Sequence, residues 1–193
     1  ERILTVYRKA MTEIRLRLEN LEALANQETG LKARFAREAA YLNLRMICEL
    51  IALGCVVAHE GLSNLSAPKL KKAYAADEIV NSLSRLHDRF YPLPIKIVSK
   101  QGHRVRIEDN NHEHLTKDAL KALYRKCGGI LHRGNPMTML NGEAIEAEWI
   151  AYVMHQGQMI ANLLGNHALV MRGDRRSIFC NLSSLQVSLN NAV

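Results

Sequence analysis

At 193 residues the chain has the size of one compact domain, and no stretch reads as a linker long enough to separate two cores. Lys and Arg number 26 against 19 Asp and Glu, a net charge of +7, which favours a polyanionic partner over an acid-rejecting surface. The longest apolar run, residues 46 to 58, carries Glu49 and is short for a bilayer span, and no signal-like segment opens the sequence given, so the expectation is a cytoplasmic protein with no membrane partner.

From Ile3 to Leu24 the apolar residues Ile3, Tyr7, Ala10, Ile14, Leu18, Leu21 and Leu24 recur at steps of three and four, which predicts an amphipathic helix. After Gln27-Glu28-Thr29-Gly30 a second helix is expected to about His59, apolar on nearly every side from Met46 to Ala58 and therefore central to a bundle. Within it Arg45 and Glu49 stand four apart and read as a buried structural ion pair. Cys48, Cys55, Cys127 and Cys180 show no C-x-x-C spacing and read as small buried hydrophobes in a reducing compartment. Pro68 precedes a third helix through Leu70, Tyr74, Ile79, Leu83 and Leu86, closed by Pro92 and Pro94.

Residues 95 to 107 change to an alternating period, with Ile95, Ile97, Val105 and Ile107 apolar, which predicts a hairpin. Pairing Ile97 with Val105 and Ile95 with Ile107 leaves the connection Lys100-Gln101-Gly102, where glycine supplies the left-handed conformation. The polar side of that hairpin carries Lys96, Arg104 and Arg106, read either as a solvated face or as phosphate contacts.

Thr116 reads as an N-cap with Leu115 and Leu120 as its hydrophobic staple, opening a fourth helix through Leu123 to about Leu131 that Gly134-Asn135-Pro136 ends. A fifth helix is expected from Gly142 to about Leu164, with Ile145, Trp149, Val153, Ile160, Leu163 and Leu164 on one stripe. Leu169 to Met171, Arg172-Gly173-Asp174 and Ser177 to Cys180 read as a second short hairpin, while Gln186 to Asn191 carries no assignable pattern. The expected architecture is a single, mainly α domain over 1–193. It is an antiparallel bundle of about five helices with two short β-hairpin appendages, one inserted at about 94–108 and one forming a tail at about 168–182.

The segment Arg125-Lys126-Cys127-Gly128-Gly129-Ile130-Leu131-His132 is where chemistry is expected. Arg125 and His132 lie two turns apart on one helix face, roughly 10 Å along the axis. Two adjacent glycines in a helix cost about 1 kcal/mol each relative to alanine, so something is expected to approach that surface closely. A phosphodiester backbone fits there, beside a permanent cation and an imidazole. So does another helix, with His132 capping the helix end and Arg125 solvated.

The run R-K-C-G-G-I-L-H, followed by R-G-N-P, resembles the R-x4-6-H motif of the HEPN superfamily, in which a polar residue follows the arginine, the slot that Lys126 fills. The run Tyr41 to Glu49 is similar to early helices of bacterial members, and the resemblance spans roughly residues 30 to 165. It implies a homodimer whose two Arg125 and His132 pairs share a cleft, and an RNA 2′-hydroxyl attacking the adjacent phosphorus without metal or other cofactor. In that reading His132 exchanges protons, Arg125 holds the phosphorane, and Lys126 and Arg133 add phosphate contacts. The resemblance further implies a toxin or phage-defence effector, with which a regulatory partner protein would be consistent. The alternative is a non-catalytic dimer that binds RNA or protein through the same fold and basic surface. A third reading is a small-molecule-binding helical domain.

His112-Glu113-His114 sits in an Asn-rich loop without a third convincing ligand and is not assigned as a metal site. His59, His87, His155 and His167 read as structural or solvated. There is no P-loop, G-x-G-x-x-G, G-x-S-x-G or paired-carboxylate pattern, so nucleotide hydrolysis and serine-based acyl transfer have no support.

Overall fold

A computed structural model describes residues 2–25, 31–59, 75–102, 104–132, 148–171 and 176–192, with the side chains of 31–33, 100 and 192 left out. The starts expected for the third and fifth helices, the Gly134-Asn135-Pro136 stop and the Arg172-Gly173-Asp174 turn lie outside the described residues.

Helix α1 (Arg2–Ala25) buries Tyr7, Ile14 and Leu21 of the expected stripe together with Met11, while Ile3, Ala10, Leu18 and Leu24 pack partly buried against the same core. It lies antiparallel to α2 (Leu31–Ala58): Arg17 Nη1 donates to Asn43 near the middle of α2, while the earlier residues Tyr7 and Met11 pack over Gly54 near its end. Gly54 permits that approach, because a Cβ there would stand 3.1 Å from the Tyr7 ring. The segment Arg34–Ala58 of α2 is long and apolar enough, by length and composition, to cross a membrane, more than the 46–58 run suggested, and 56% of its most apolar window is buried inside the fold. It forms the spine of the helical core, with Ala40, Tyr41, Leu44, Ile47, Cys48, Ile51 and Cys55 buried.

Helix α3 (Ala76–Ser84) buries Ile79, Val80 and Leu83. Helix α4 (Lys117–Leu131) and helix α5 (Trp149–Leu164) complete the helices among the described residues. The Leu115 N–H bonds to the Met159 carbonyl at the start of α4 and Lys126 reaches Tyr152 further along it, so α4 runs antiparallel to α5. Tyr152 stacks on Tyr41 in α2, while His167, three residues beyond α5, meets Tyr7 at the level of Gly54. Helices α5 and α2 therefore run in the same direction.

The remaining elements overturn the mainly α expectation. Strands β1 (Leu93–Gln101), β2 (Arg104–Asp109), β3 (Asn166–Val170), β4 (Arg176–Asn181) and β5 (Gln186–Ala192) close into a barrel in the order β1-β2-β5-β4-β3, so the fold is mixed α/β. All neighbours are antiparallel except the parallel β2–β5 pair. The two hairpins are thus barrel walls, not appendages. The stretch that carried no pattern, Gln186 to Asn191, is the strand that joins them, pairing with β4 along its length and with β2 at Arg104↔Asn191 and Val105↔Ala192.

The first hairpin forms with its register displaced from the expected pairing: Ile97 faces Ile107 and Ile95 faces Asp109. A bulge between Ile97 and Ser99 absorbs the extra residue, and Gly102 takes φ 57°, the left-handed conformation expected of it. Ile95, Val105, Ala168 and Phe179 fill the barrel interior, with Ile107 against them. The alternate residues His167, Leu169, Ile178 and Cys180 are buried too, and Leu169, Ile178 and Cys180 belong to the helical core. Burial on both faces accounts for the adjacent apolar residues Ala168 and Leu169 in β3 and Ile178, Phe179 and Cys180 in β4.

Candidate functional site on helix α4

Helix α4 starts where its sequence says it should. The Thr116 hydroxyl accepts a hydrogen bond from the Ala119 N–H, and Leu115 and Leu120 are both fully buried beneath the first turn. Asp118 occupies that turn, its carboxyl held below the usual range chiefly by a hydrogen bond from Lys121 and by that lysine's charge. The buried side comprises Leu120, Leu123, Tyr124, Cys127 and Gly128. That phase leaves Arg125, Gly129 and His132 outward, at i, i+4 and i+7 on one exposed face. His132 is the C-cap, in extended conformation, its backbone N–H bonded to the Gly128 carbonyl.

The two glycines have different surroundings. A Cβ at Gly128 would stand 2.7 Å from Arg45 Nη1, whereas one at Gly129 would meet nothing within 4 Å. Arg45 cannot easily yield. Its guanidinium lies 4.3 Å from the Tyr124 ring centroid, Nη2 donates to the Tyr124 hydroxyl at 2.7 Å, and Nε stands 3.4 Å from Glu49. Arg45 and Glu49 are each about a quarter exposed, so the ion pair is partly buried and has a tyrosine as its third member. Burial raises the Tyr124 phenol above its ordinary value; Arg45 opposes this, and Glu49 and Asp77 add to the rise. Gly128 is thus accounted for by Arg45 within the fold, whereas Gly129 borders open space.

Arg125, with 67% of its side chain exposed, donates from Nε to Asp77 Oδ2 at 3.2 Å. Asp77 sits in the first turn of α3, its Oδ1 accepting from the Glu78 N–H. One turn away on each helix, Lys121 Nζ reaches Asn81 Oδ1 at 3.4 Å. Lys126 leaves α4 on the other flank and places its ammonium 3.7 Å from the centroid of the Tyr152 ring, a cation–π contact. Cys127, behind this face, has its thiol pushed up to about 12 by burial; it is no nucleophile at neutral pH.

Arg133 lies outside the described residues. Lys96, Arg104 and Arg106 are exposed on the first hairpin, with Lys96 opposite Glu108, Arg104 opposite Gln101 and Arg106 opposite Ser99. Their strand partners lie within the barrel, and no hydrogen bond or ion pair joins them to α4 among the described residues. The basic residues expected to act together form two separate groups, Arg125, Lys126 and His132 on α4 and the hairpin trio on the barrel.

Asp77 escaped the sequence reading. Its signal was a matched spacing, Asp77 and Asn81 four apart on α3 against Lys121 and Arg125 four apart on α4. Of the His112-Glu113-His114 run, His114 Nδ1 bonds the His112 carbonyl, and no group of three or more potential metal ligands occurs among the described residues. Comparisons with family models, with curated proteins and with solved structures find no match.

Proposed function

We propose that the protein is an RNA-cleaving endonuclease in which Arg125 and His132 act at the scissile phosphate without a metal ion. One observation carries this reading. An exposed guanidinium and an exposed imidazole bracket Gly129, the one helical glycine of that pair with open space where a side chain would be. The similarity of residues 125–132 to the R-x4-6-H motif supports the same reading, as does the net charge of +7.

In the proposed step the RNA 2′-oxygen bonds to phosphorus as the bond to the 5′-oxygen breaks. The 2′-hydroxyl gives its proton to an imidazole, the 5′-oxygen receives one, and the phosphorane charge is held by the arginine fork. Arg125 and His132 are roughly 10 Å apart along their helix, too far for both to serve one phosphate from one copy. A second copy, apposed across Gly129, would supply the missing partner. The exposed apolar residues Phe35, Leu42 and Leu53, on one side of α2, are consistent with a further surface for that association.

The test is incubation of the purified protein with single-stranded RNA in EDTA, with end-group analysis. We expect products ending in 2′,3′-cyclic phosphate, and a loss of about 10²- to 10⁴-fold in His132→Ala. RNA that is bound in an Arg125-dependent manner but stays intact would make the protein a binding module. Cleavage undiminished in both Arg125→Ala and His132→Ala would place the activity elsewhere.

A further inference from the structure

Arg125 meets the protein through one edge of its guanidinium. The Nε–H donates to Asp77 Oδ2 at 3.2 Å, while the two Nη groups have no hydrogen bond among the described residues on a side chain that is 67% exposed. Asp77 is itself only 20% exposed and is fixed at both oxygens, by Arg125 at Oδ2 and by the Glu78 N–H at Oδ1. A guanidinium offers two forks to an oxyanion, one from Nε with a neighbouring Nη and one from the two terminal Nη groups. The carboxylate accepts from Nε alone, so the terminal fork has no partner among the described residues.

We infer that Asp77 is a positioning residue that turns the terminal fork of Arg125 toward an RNA phosphate. This rests on the ribonuclease reading above and adds to it a residue from another helix. Electrostatics alone gives the opposite expectation. An acid next to a phosphate-binding arginine repels the substrate, so its removal should tighten binding and leave cleavage equal or faster. A plain surface ion pair would contribute little to either. Positioning reverses the sign for catalysis, because a free arginine samples many rotamers and holds the phosphorane in few of them.

The experiment compares the parent with Asp77→Ala, Asp77→Asn and Arg125→Ala. Cleavage of a single-stranded oligoribonucleotide is measured beside binding of its uncleavable 2′-O-methyl counterpart. Asp77→Ala should cleave at least about tenfold more slowly while binding the 2′-O-methyl strand as well as the parent or better. Asp77→Asn, whose amide oxygen still accepts the Nε–H, should recover most of the rate. An NMR measurement of the Arg125 Nε–Hε signal separates positioning from damage to the fold: the resonance should stay sharp in the parent and in Asp77→Asn and broaden by exchange in Asp77→Ala.

A rate in Asp77→Ala equal to or above the parent's, with Arg125→Ala inactive, would sink the positioning role and leave the nuclease reading standing. So would an Asp77→Asn variant as slow as Asp77→Ala. A parent that leaves the oligoribonucleotide intact would overturn both together.

Discussion

The Tyr7 hydroxyl and the His167 imidazole, 160 positions apart in the chain, meet at 2.6 Å where both residues are buried. Their geometry fixes the proton arrangement. His167 Nδ1 lies 2.9 Å from the Leu164 carbonyl, which can only accept, so Nδ1 carries the hydrogen; the lone pair of the neutral ring is then at Nε2, and the Tyr7 hydroxyl donates to it. The contact fastens α1 to the strand that leaves α5, and so joins the helical core to the barrel. Burial pushes the imidazole down to about 4, with the Leu164 hydrogen bond opposing the shift.

That depression predicts acid lability. The unfolded chain takes up a proton at His167 near the usual 6.5, whereas the native ring resists it until about 4. Within that window the unfolded state binds more protons, so this group's contribution is complete above the window and is lost as pH falls through it. The loss reaches about 3 kcal/mol at the acid end. His167→Gln keeps an acceptor for Tyr7 and a donor for Leu164 but does not titrate. Urea unfolding of parent and variant at neutral pH and at about pH 5 should show a steeper acid loss in the parent; parallel losses would remove His167 as the cause.

Much of the helical part was legible because its signals are local. Thr116, Leu115 and Leu120 state the start of α4 within six residues, and Tyr7, Ile14 and Leu21 of the expected stripe lie on the buried side of α1, which Met11 shares without having been read from the spacing. The barrel was not legible, for the opposite reason. Its closure depends on two short non-local seams, Leu93↔Ala168 with Pro94↔His167 and Arg104↔Asn191 with Val105↔Ala192. Strand β5 offers only Val187, Leu189 and Ala192 among polar neighbours, and its pairing is decided by β4 beside it. The same distinction divides the candidate site. Arg125 and His132 could be placed on one helix face from their spacing, whereas the Asp77 contact depends on how α3 lies across α4.

The glycine pair gives a prediction in which stability and activity part. Alanine at Gly129 meets nothing within 4 Å, so it should stabilise the fold by about 0.5 to 1 kcal/mol through helix propensity. If RNA or the apposed second copy crosses the helix there, the added methyl holds it off the surface, and cleavage should fall by about tenfold or more. Alanine at Gly128 would press on Arg45 Nη1 at 2.7 Å, so its propensity gain should be cancelled or reversed as the Tyr124 and Glu49 contacts shift. Thermal unfolding and cleavage assays on the two variants decide it. A Gly129→Ala protein that is both more stable and fully active would mean that nothing crosses that surface.

The barrel interior should be the least forgiving place in the molecule for its size. Phe179 is 4% exposed in a cluster whose other buried members are Ile95, Val105 and Ala168, and none of these can reorganise to fill the space of a phenyl ring while its strand is held in the closed ladder. Phe179→Ala should therefore cost about 3 to 5 kcal/mol, the range in which a cavity stays unfilled. The neighbouring residues Ile178 and Cys180 face the other way, into the core formed by the helices, so β4 cannot detach without exposing that core as well. The loss should consequently appear as a lower midpoint of one cooperative transition, with α4 and its surface unfolding together with the barrel. Calorimetry with far-ultraviolet circular dichroism would show this as coincident curves. Two separated transitions in Phe179→Ala, the first losing strand signal and the second helix, would show that the barrel melts as its own unit and that the shared burial of β3 and β4 does not couple it to the helices.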